Sequence, residues 1–108
     1  MVFNQLFFGA NYNNINIFCI ALALLGLPMH FVYIIVSVPH PDHYYVGLTE
    51  NVRQRVGHHN QGVVRSTAPF RPWRLRTAIC FSDRTRAADF ERYLKTGSGI
   101  AFLRRRFL

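Results

Sequence analysis

The stretch His43–Gln61, HYYVGLTENVRQRVGHHNQ, decides the fold of this chain. Its beginning is aromatic and β-branched, which predicts a strand over Tyr44–Leu48. Asn51 is a suitable N-cap, because its side-chain oxygen can accept a hydrogen bond from the first turn of a helix. Gly62 follows as a helix terminator. The stretch therefore predicts a strand that leads into a short helix near Val52–Asn60.

This predicted helix carries two polar side chains close together. Arg55 and His59 lie four residues apart, which places them one turn apart on the same face. Gly47, in the preceding strand, is a position where another group can approach the backbone closely. A cation and an imidazole beside such a strand are typical of a functional site, although an ordinary exposed helix face has the same pattern.

Two further strands are expected around this unit. The β-branched run Phe31–Val38 predicts the first strand of the domain. The turn between it and Tyr44–Leu48 is so short that these two strands must be antiparallel. After a loop, Trp73–Phe81 alternates polar and apolar residues at its start, as a half-buried strand does.

Two more helices are predicted in the last part of the chain. One begins near Asp83, where an apolar stripe at helical spacing follows. Gly97 and Gly99 are expected to end or bend this helix, and Ile100–Phe107 is expected to form a last short basic helix.

The charge of the chain is concentrated in its second half. The 108 residues carry a formal net charge of +8, and all 13 Lys and Arg residues lie beyond residue 52. All but Lys95 are arginines, whose planar guanidinium suits phosphate groups. A partner with many phosphates is therefore expected first and an anionic membrane surface second, with a merely solvated basic surface as the alternative.

Residues 1–28 differ in kind from the rest. The apolar run Ile17–Leu27 is too short to span a bilayer alone, and Pro28 would interrupt a longer membrane helix. A signal peptide is also a poor match, because the first residues carry no positive charge. We therefore expect residues 1–28 to be a leader or an N-terminal extension and residues 29–108 to be the functional domain. A membrane anchor is expected only if residues 1–28 supply it.

The two cysteines, Cys19 and Cys80, form no C-x-x-C pair and indicate neither a disulfide framework nor a zinc ribbon. A reducing compartment, the cytoplasm, is therefore expected.

Four short motifs, taken in order, resemble those of the GIY-YIG nuclease family. The resemblance is closest to the small stand-alone members related to the N-terminal nuclease domain of the excinuclease C subunit. The motifs are Val32-Tyr33-Ile34, Tyr45-Val46-Gly47, Arg55 with His59-Asn60, and Glu91 within Phe90–Lys95. The resemblance implies an α/β (α+β) fold, with a small three-stranded antiparallel sheet flanked by helices. It also implies metal-dependent hydrolysis of a nucleic-acid phosphodiester, expected here on branched or nicked DNA in repair or recombination.

The resemblance also implies roles for individual residues. Tyr33 would be the general base and Tyr45 its helper, while Arg55 would neutralise the phosphate. His59 would either orient a tyrosine or bind the phosphate. Glu91 would hold Mg²⁺ or Mn²⁺, with water and substrate as the other ligands. No organic cofactor is expected.

Two expectations concern the surroundings of these residues. A tyrosine with an ordinary pKa near 10 is a poor base at neutral pH, so metal or arginine charge is expected to favour its phenolate. Basic residues are expected to contact the nucleic acid, namely Arg53, Arg65, Arg71, Lys95, Arg104 and Arg105.

The sequence departs from the family pattern in two places. The first motif reads Phe-Val-Tyr, and no asparagine follows Asn60, so Ser98 is the candidate for the position where many members carry one. The histidine spacing fits no standard zinc site.

The alternative function is a basic nucleic-acid-binding module on the same scaffold without turnover, which would be expected to lack at least one of the five site residues.

Overall fold

The computed structural model describes residues 2–6 and 24–108. Within these ranges the chain forms four strands, three α-helices and one short 3₁₀ helix. In chain order the elements are β1 (Val2–Leu6), β2 (His30–Ser37), β3 (Tyr44–Thr49), α1 (Val52–Gln61), the 3₁₀ helix (Ala68–Phe70), β4 (Trp73–Phe81), α2 (Arg84–Tyr93) and α3 (Gly97–Arg106).

The sheet has the strand order β1-β4-β2-β3 and is antiparallel at every pairing. The predicted three-stranded antiparallel sheet, made of β2, β3 and β4, is confirmed. The additional strand β1 pairs with the outer edge of β4 and lies in the segment that was expected to be a leader. Whether Met29 begins an independent domain stays a prediction.

Strand β2 lies at the centre of the fold and is buried along its whole length. Its alternate side chains point to opposite faces of the sheet, as strand geometry requires. Phe31 and Tyr33 belong to the cluster that also contains Val52 and Val56 of α1. Val32 and Ile34 belong to the cluster on the other face; its helical members are Ala87, Leu94 and Leu103. Both faces are therefore covered, which explains why β2 is almost entirely apolar.

The predicted helix caps are present. The Asn51 side chain accepts a hydrogen bond from the Gln54 amide at 3.0 Å, and Gly62 ends α1 in the left-handed conformation with φ of 81°. The Asp83 side chain caps α2. These local signals fix where the helices begin and end without help from tertiary contacts.

The expected start of the last helix is wrong by three residues. Gly97 and Gly99 lie in the first turn of α3, and the Thr96 hydroxyl accepts a hydrogen bond from the Gly99 amide at 3.2 Å. A Cβ on Gly99 would clash with the backbone of Tyr93 and lie 2.9 Å from the Leu94 Cα. A glycine is present here because α3 begins against the end of α2.

No helix in the described ranges is long and apolar enough to cross a membrane.

Candidate active site

Tyr33 and Gly47 face each other across the β2–β3 pair. Tyr33 is completely buried, and its ring lies over Gly47. A Cβ on Gly47 would lie 2.5 Å from Cζ and 2.7 Å from Cε1 of that ring. The glycine of the second motif therefore leaves the space that the tyrosine of the first motif occupies.

Helix α1 brings two side chains to the Tyr33 hydroxyl. Arg55 Nε donates a hydrogen bond to Tyr33 Oη at 3.2 Å. His59 Nε2 lies 2.9 Å from the same oxygen, and His59 is completely buried. The four-residue spacing seen in the sequence thus places a guanidinium and an imidazole on a single phenol oxygen.

The second ring nitrogen of His59 has a partner from outside the helix. His59 Nδ1 lies 2.7 Å from Thr67 Oγ1, and Thr67 is 2% exposed. Thr67 belongs to none of the sequence motifs. It lies in a loop without periodicity, and no local signal distinguishes it from neighbouring polar residues such as Ser66.

Tyr45 completes the aromatic side of the cluster. Its half-buried ring lies with its centroid 4.9 Å from that of His59 and 6.2 Å from that of Tyr33. Tyr45 also contributes to the raised pKa of Arg55, after the larger effect of Tyr33. Tyr33, Tyr45, Arg55 and His59 are therefore in mutual contact.

The protonation of this cluster follows from its burial. Burial raises the pKa of Tyr33 to about 12, although the hydrogen bond and the charge of Arg55 act in the opposite direction. Burial, together with the positive charges of Arg55 and His58, lowers the pKa of His59 to about 4. At neutral pH Tyr33 is a phenol and His59 is a neutral imidazole. The hydrogen bond and charge of Arg55 act in favour of the phenolate, as expected, but desolvation outweighs them.

Glu91 reaches the cluster from α2. Its negative charge contributes to the raised pKa of Tyr33, after burial and Tyr45, so the carboxylate lies within electrostatic range of the phenol. The side chain of Glu91 is 17% exposed and forms an ion pair with Lys95 through Oε1. Lys95 does not have hydrogen-bond geometry there, and among the described residues this buried oxygen accepts no hydrogen bond.

A metal ion at this site would have few protein ligands. The described part of the chain contains no group of three His, Cys, Asp or Glu side chains that could hold one. A single mostly buried carboxylate fits Mg²⁺, which usually keeps several waters and takes further ligands from phosphate. It does not fit a closed structural zinc site.

The basic residues expected to contact nucleic acid lie on separate surfaces. Arg53 is exposed on α1, and Arg65 and Arg71 are exposed in the loop between α1 and β4. Arg71 also donates to the Ala68 carbonyl at 2.9 Å. Lys95 lies against Glu91.

The arginines of α3 lie elsewhere. Arg104 and Arg105 are exposed on a helix whose buried residues Leu103 and Phe107 pack on the opposite face of the sheet from α1. Ser98 is exposed in the first turn of the same helix. Tyr33, Tyr45, Arg55 and His59 converge, whereas the predicted nucleic-acid contacts are distributed over α1, the loop after it, the segment after α2 and α3.

Comparison with known proteins agrees with the geometry of the cluster. No curated protein matches the chain. The family model of the GIY-YIG catalytic domain matches residues 29–99, which is well over half of the chain and includes Tyr33, Gly47 and Glu91. The predicted family is thereby confirmed, and with it a nuclease-type domain in general terms. The chain belongs to the GIY-YIG catalytic domain family.

Proposed function

We propose that the protein is a metal-dependent endonuclease that hydrolyses phosphodiester bonds in DNA. The observation that carries the proposal is the convergence of Arg55 Nε and His59 Nε2 on the buried Tyr33 hydroxyl, within electrostatic range of Glu91. Phosphodiester hydrolysis needs a proton acceptor for the attacking water and positive charge for the phosphate. This cluster contains a group suited to each task.

Tyr33 acts as a proton relay in this mechanism and not as a preformed phenolate. Its oxygen takes a proton from the attacking water while its own proton passes to His59 Nε2, 2.9 Å away. A free phenolate at this position is disfavoured, because burial raises the pKa of Tyr33 to about 12. In the proposed relay the two proton movements are concerted, so that no buried phenolate forms.

His59 has the first of its two expected roles, the orientation of a tyrosine. It is completely buried, and both ring nitrogens have partners within the protein. Because both nitrogens are used within the protein, His59 has no donor left for a phosphate. Tyr45 supports it by packing its ring at a centroid distance of 4.9 Å.

Arg55 binds the scissile phosphate. Its Nε–H is used on Tyr33, and its two Nη groups carry four further N–H donors. Arg55 thus positions the Tyr33 hydroxyl and also neutralises the scissile phosphate. A bidentate guanidinium–phosphate contact is among the strongest charge-assisted hydrogen bonds.

Glu91 holds the divalent cation, Mg²⁺ or Mn²⁺. Its mostly buried carboxylate, within electrostatic range of Tyr33, supports this assignment. When bound, the ion supplies charge neutralisation at the phosphate and at the leaving oxygen. The partner of the site is DNA, while a role in repair or recombination and a location in the cytoplasm remain predictions.

The test is cleavage of labelled branched, nicked, single-stranded and duplex DNA with and without Mg²⁺. Glu91→Gln should lower the rate by several orders of magnitude and leave DNA binding intact or tighter, because the amide is a poor Mg²⁺ ligand. Asp89→Asn is the matched control, since Asp89 lies on the same helix, is exposed and pairs with Arg92. It should cleave like the parent. A parent without metal-dependent cleavage of any substrate, or Glu91→Gln cleaving at the parent rate, refutes the proposal and favours a binding module.

A further inference from the structure

Thr67 is the buried hydroxyl partner of His59, and it belongs to none of the sequence motifs. Its Oγ1 lies 2.7 Å from His59 Nδ1 and also donates to the Val64 carbonyl at 3.3 Å. We propose that Thr67 is a positioning residue that holds His59 in the Nδ1-protonated tautomer, so that Nε2 accepts the Tyr33 proton. This inference rests on the proposed nuclease function and deepens it.

Hydrogen bonds connect Thr67, His59 and Tyr33 in a row. Their direction can be worked out first from the contacts of Thr67. A hydroxyl carries one proton, and a carbonyl can only accept. If the Thr67 proton is given to Val64, the bond between Thr67 and His59 must use a proton on Nδ1. Neutral imidazole has one proton, so Nε2 is then an acceptor, 2.9 Å from Tyr33 Oη.

The same direction follows independently from the Tyr33 end. Tyr33 Oη accepts from Arg55 Nε, whose N–H can only donate. The phenol is completely buried, and among the described residues His59 Nε2 is the one acceptor within reach of its proton. A proton on Nε2 would leave two N–H donors on one oxygen and a buried hydroxyl proton without a partner. The contacts of Tyr33 therefore require this tautomer, and the contacts of Thr67 are consistent with it.

Thr67 is itself fixed in place by the fold. Trp73 Nε1 donates to the Thr67 carbonyl at 2.8 Å. The Asn60 side chain binds the backbone of Trp73 twice, accepting from its amide at 2.6 Å and donating to its carbonyl at 3.0 Å. The hydroxyl is thus held between the end of α1 and the start of β4, which is the geometry that a single tautomer needs.

The tautomer matters when the proton moves. After Tyr33 passes its proton to Nε2, His59 is an imidazolium with two N–H donors. One then points to Tyr33 Oη and the other to Thr67 Oγ1, so both are satisfied. Without the Thr67 hydroxyl the buried Nδ1–H has no acceptor, and such a group is costly. This cost brings the two tautomers closer in free energy, so that part of the rings carry the proton on Nε2, where they cannot accept one.

The test compares Thr67→Val with Thr67→Ser and with Thr77→Val, a matched control at a threonine that is 3% exposed on β4. The first readout is ¹⁵N NMR of the His59 ring, assigned with His59→Gln. The parent, Thr67→Ser and Thr77→Val should show protonated Nδ1 and unprotonated Nε2. Thr67→Val should show a mixture in which part of the rings are protonated on Nε2.

The second readout is the cleavage of the DNA that the parent cuts. Thr67→Val should lower kcat by about 10- to 100-fold with KM unchanged, whereas Thr67→Ser should restore it. A His59 ring protonated on Nε2 in the parent overturns the inference, and so does parent-like kcat in folded Thr67→Val. If Thr67→Val does not fold, the parent spectrum still decides. A parent that never cleaves refutes the nuclease and leaves the tautomer assignment standing, so the two failures are distinguishable.

Discussion

Replacing Gly47 with alanine tests how tightly Tyr33 is held. The added Cβ would lie 2.5 Å from Cζ of the tyrosine ring, whereas ordinary contact begins at 3.4 Å. The ring must therefore move by about 0.9 Å or the two strands must separate. Neither is easy, because Tyr33 is completely buried and its hydroxyl is bound by Arg55 and His59.

Gly47→Ala is expected to lower stability by overpacking the core and to lower the cleavage rate by displacing Tyr33. Overpacking a well-packed core costs about 1–3 kcal/mol, and alanine in a strand recovers part of that through roughly 0.5–1 kcal/mol of backbone entropy. A net loss of about 1–2 kcal/mol in the free energy of unfolding is expected for Gly47→Ala. Cleavage should fall by about 100-fold, because a shift of this size moves Tyr33 Oη away from its partners.

The assay is urea unfolding followed by the cleavage time course, with Gly57→Ala as the matched control. Nothing lies within 4 Å of a Cβ on Gly57 in α1, so that variant should be more stable than the parent by about 0.5–1 kcal/mol. In a Tyr33→Leu background the penalty of Gly47→Ala should shrink, since the ring is gone. A Gly47→Ala protein as stable as the parent and equally active would show that the ring does not fill this space.

Three further results are expected. The pKa of His59, lowered from 6.5 to about 4 by burial and by Arg55, means that the unfolded chain binds a proton that the folded chain does not. This contribution to the free energy of unfolding is fully present above pH 6.5 and should be lost, by roughly 3 kcal/mol, as the pH drops towards 4. Urea unfolding at a series of pH values measures it: the free energy of unfolding should depend less steeply on pH in His59→Gln than in the parent, and an equal dependence would contradict the prediction. Lys95→Met should raise Mn²⁺ affinity by up to about 5-fold, because the Lys95 ammonium, which is paired with the Glu91 carboxylate, competes with the ion at a cost of about 1 kcal/mol or less. Electron paramagnetic resonance of Mn²⁺ measures this affinity, and an unchanged or weaker affinity would show that Lys95 does not compete. The chain Met29–Leu108 should fold and cleave at the parent rate, because Met29 is 5% exposed whereas Leu24 is 83% exposed, and β1 lies at the far edge of the sheet from β3; an insoluble or unfolded product would place residues 1–28 in the domain.

The elements that the sequence predicted well are those with local causes. The β-branched run of β2, the caps Asn51 and Asp83, and the terminator Gly62 each act through their own residue and its nearest neighbours. The same holds for the spacing of Arg55 and His59, because one helical turn places them together whatever surrounds the helix. Such features need no knowledge of the rest of the fold.

The features that were missed or misplaced depend on contacts between distant segments. Strand β1 is defined by the free edge of β4, so its short sequence VFNQL has no signal of its own. The glycines of α3 lie inside the helix because α3 begins against the backbone at the end of α2, which no local pattern reports.

The site shows the same division. The sequence determined which residues could do chemistry, because motif spacing on a strand and a helix is a local property. Only the tertiary structure decided their protonation, since the pKa values of Tyr33 and His59 are set by burial between β2, β3 and α1. It also brought Thr67 to His59, because that contact exists only when the loop after α1 is held against β4. Desolvation and long-range hydrogen bonds belong to the assembled fold, and a linear pattern does not encode them.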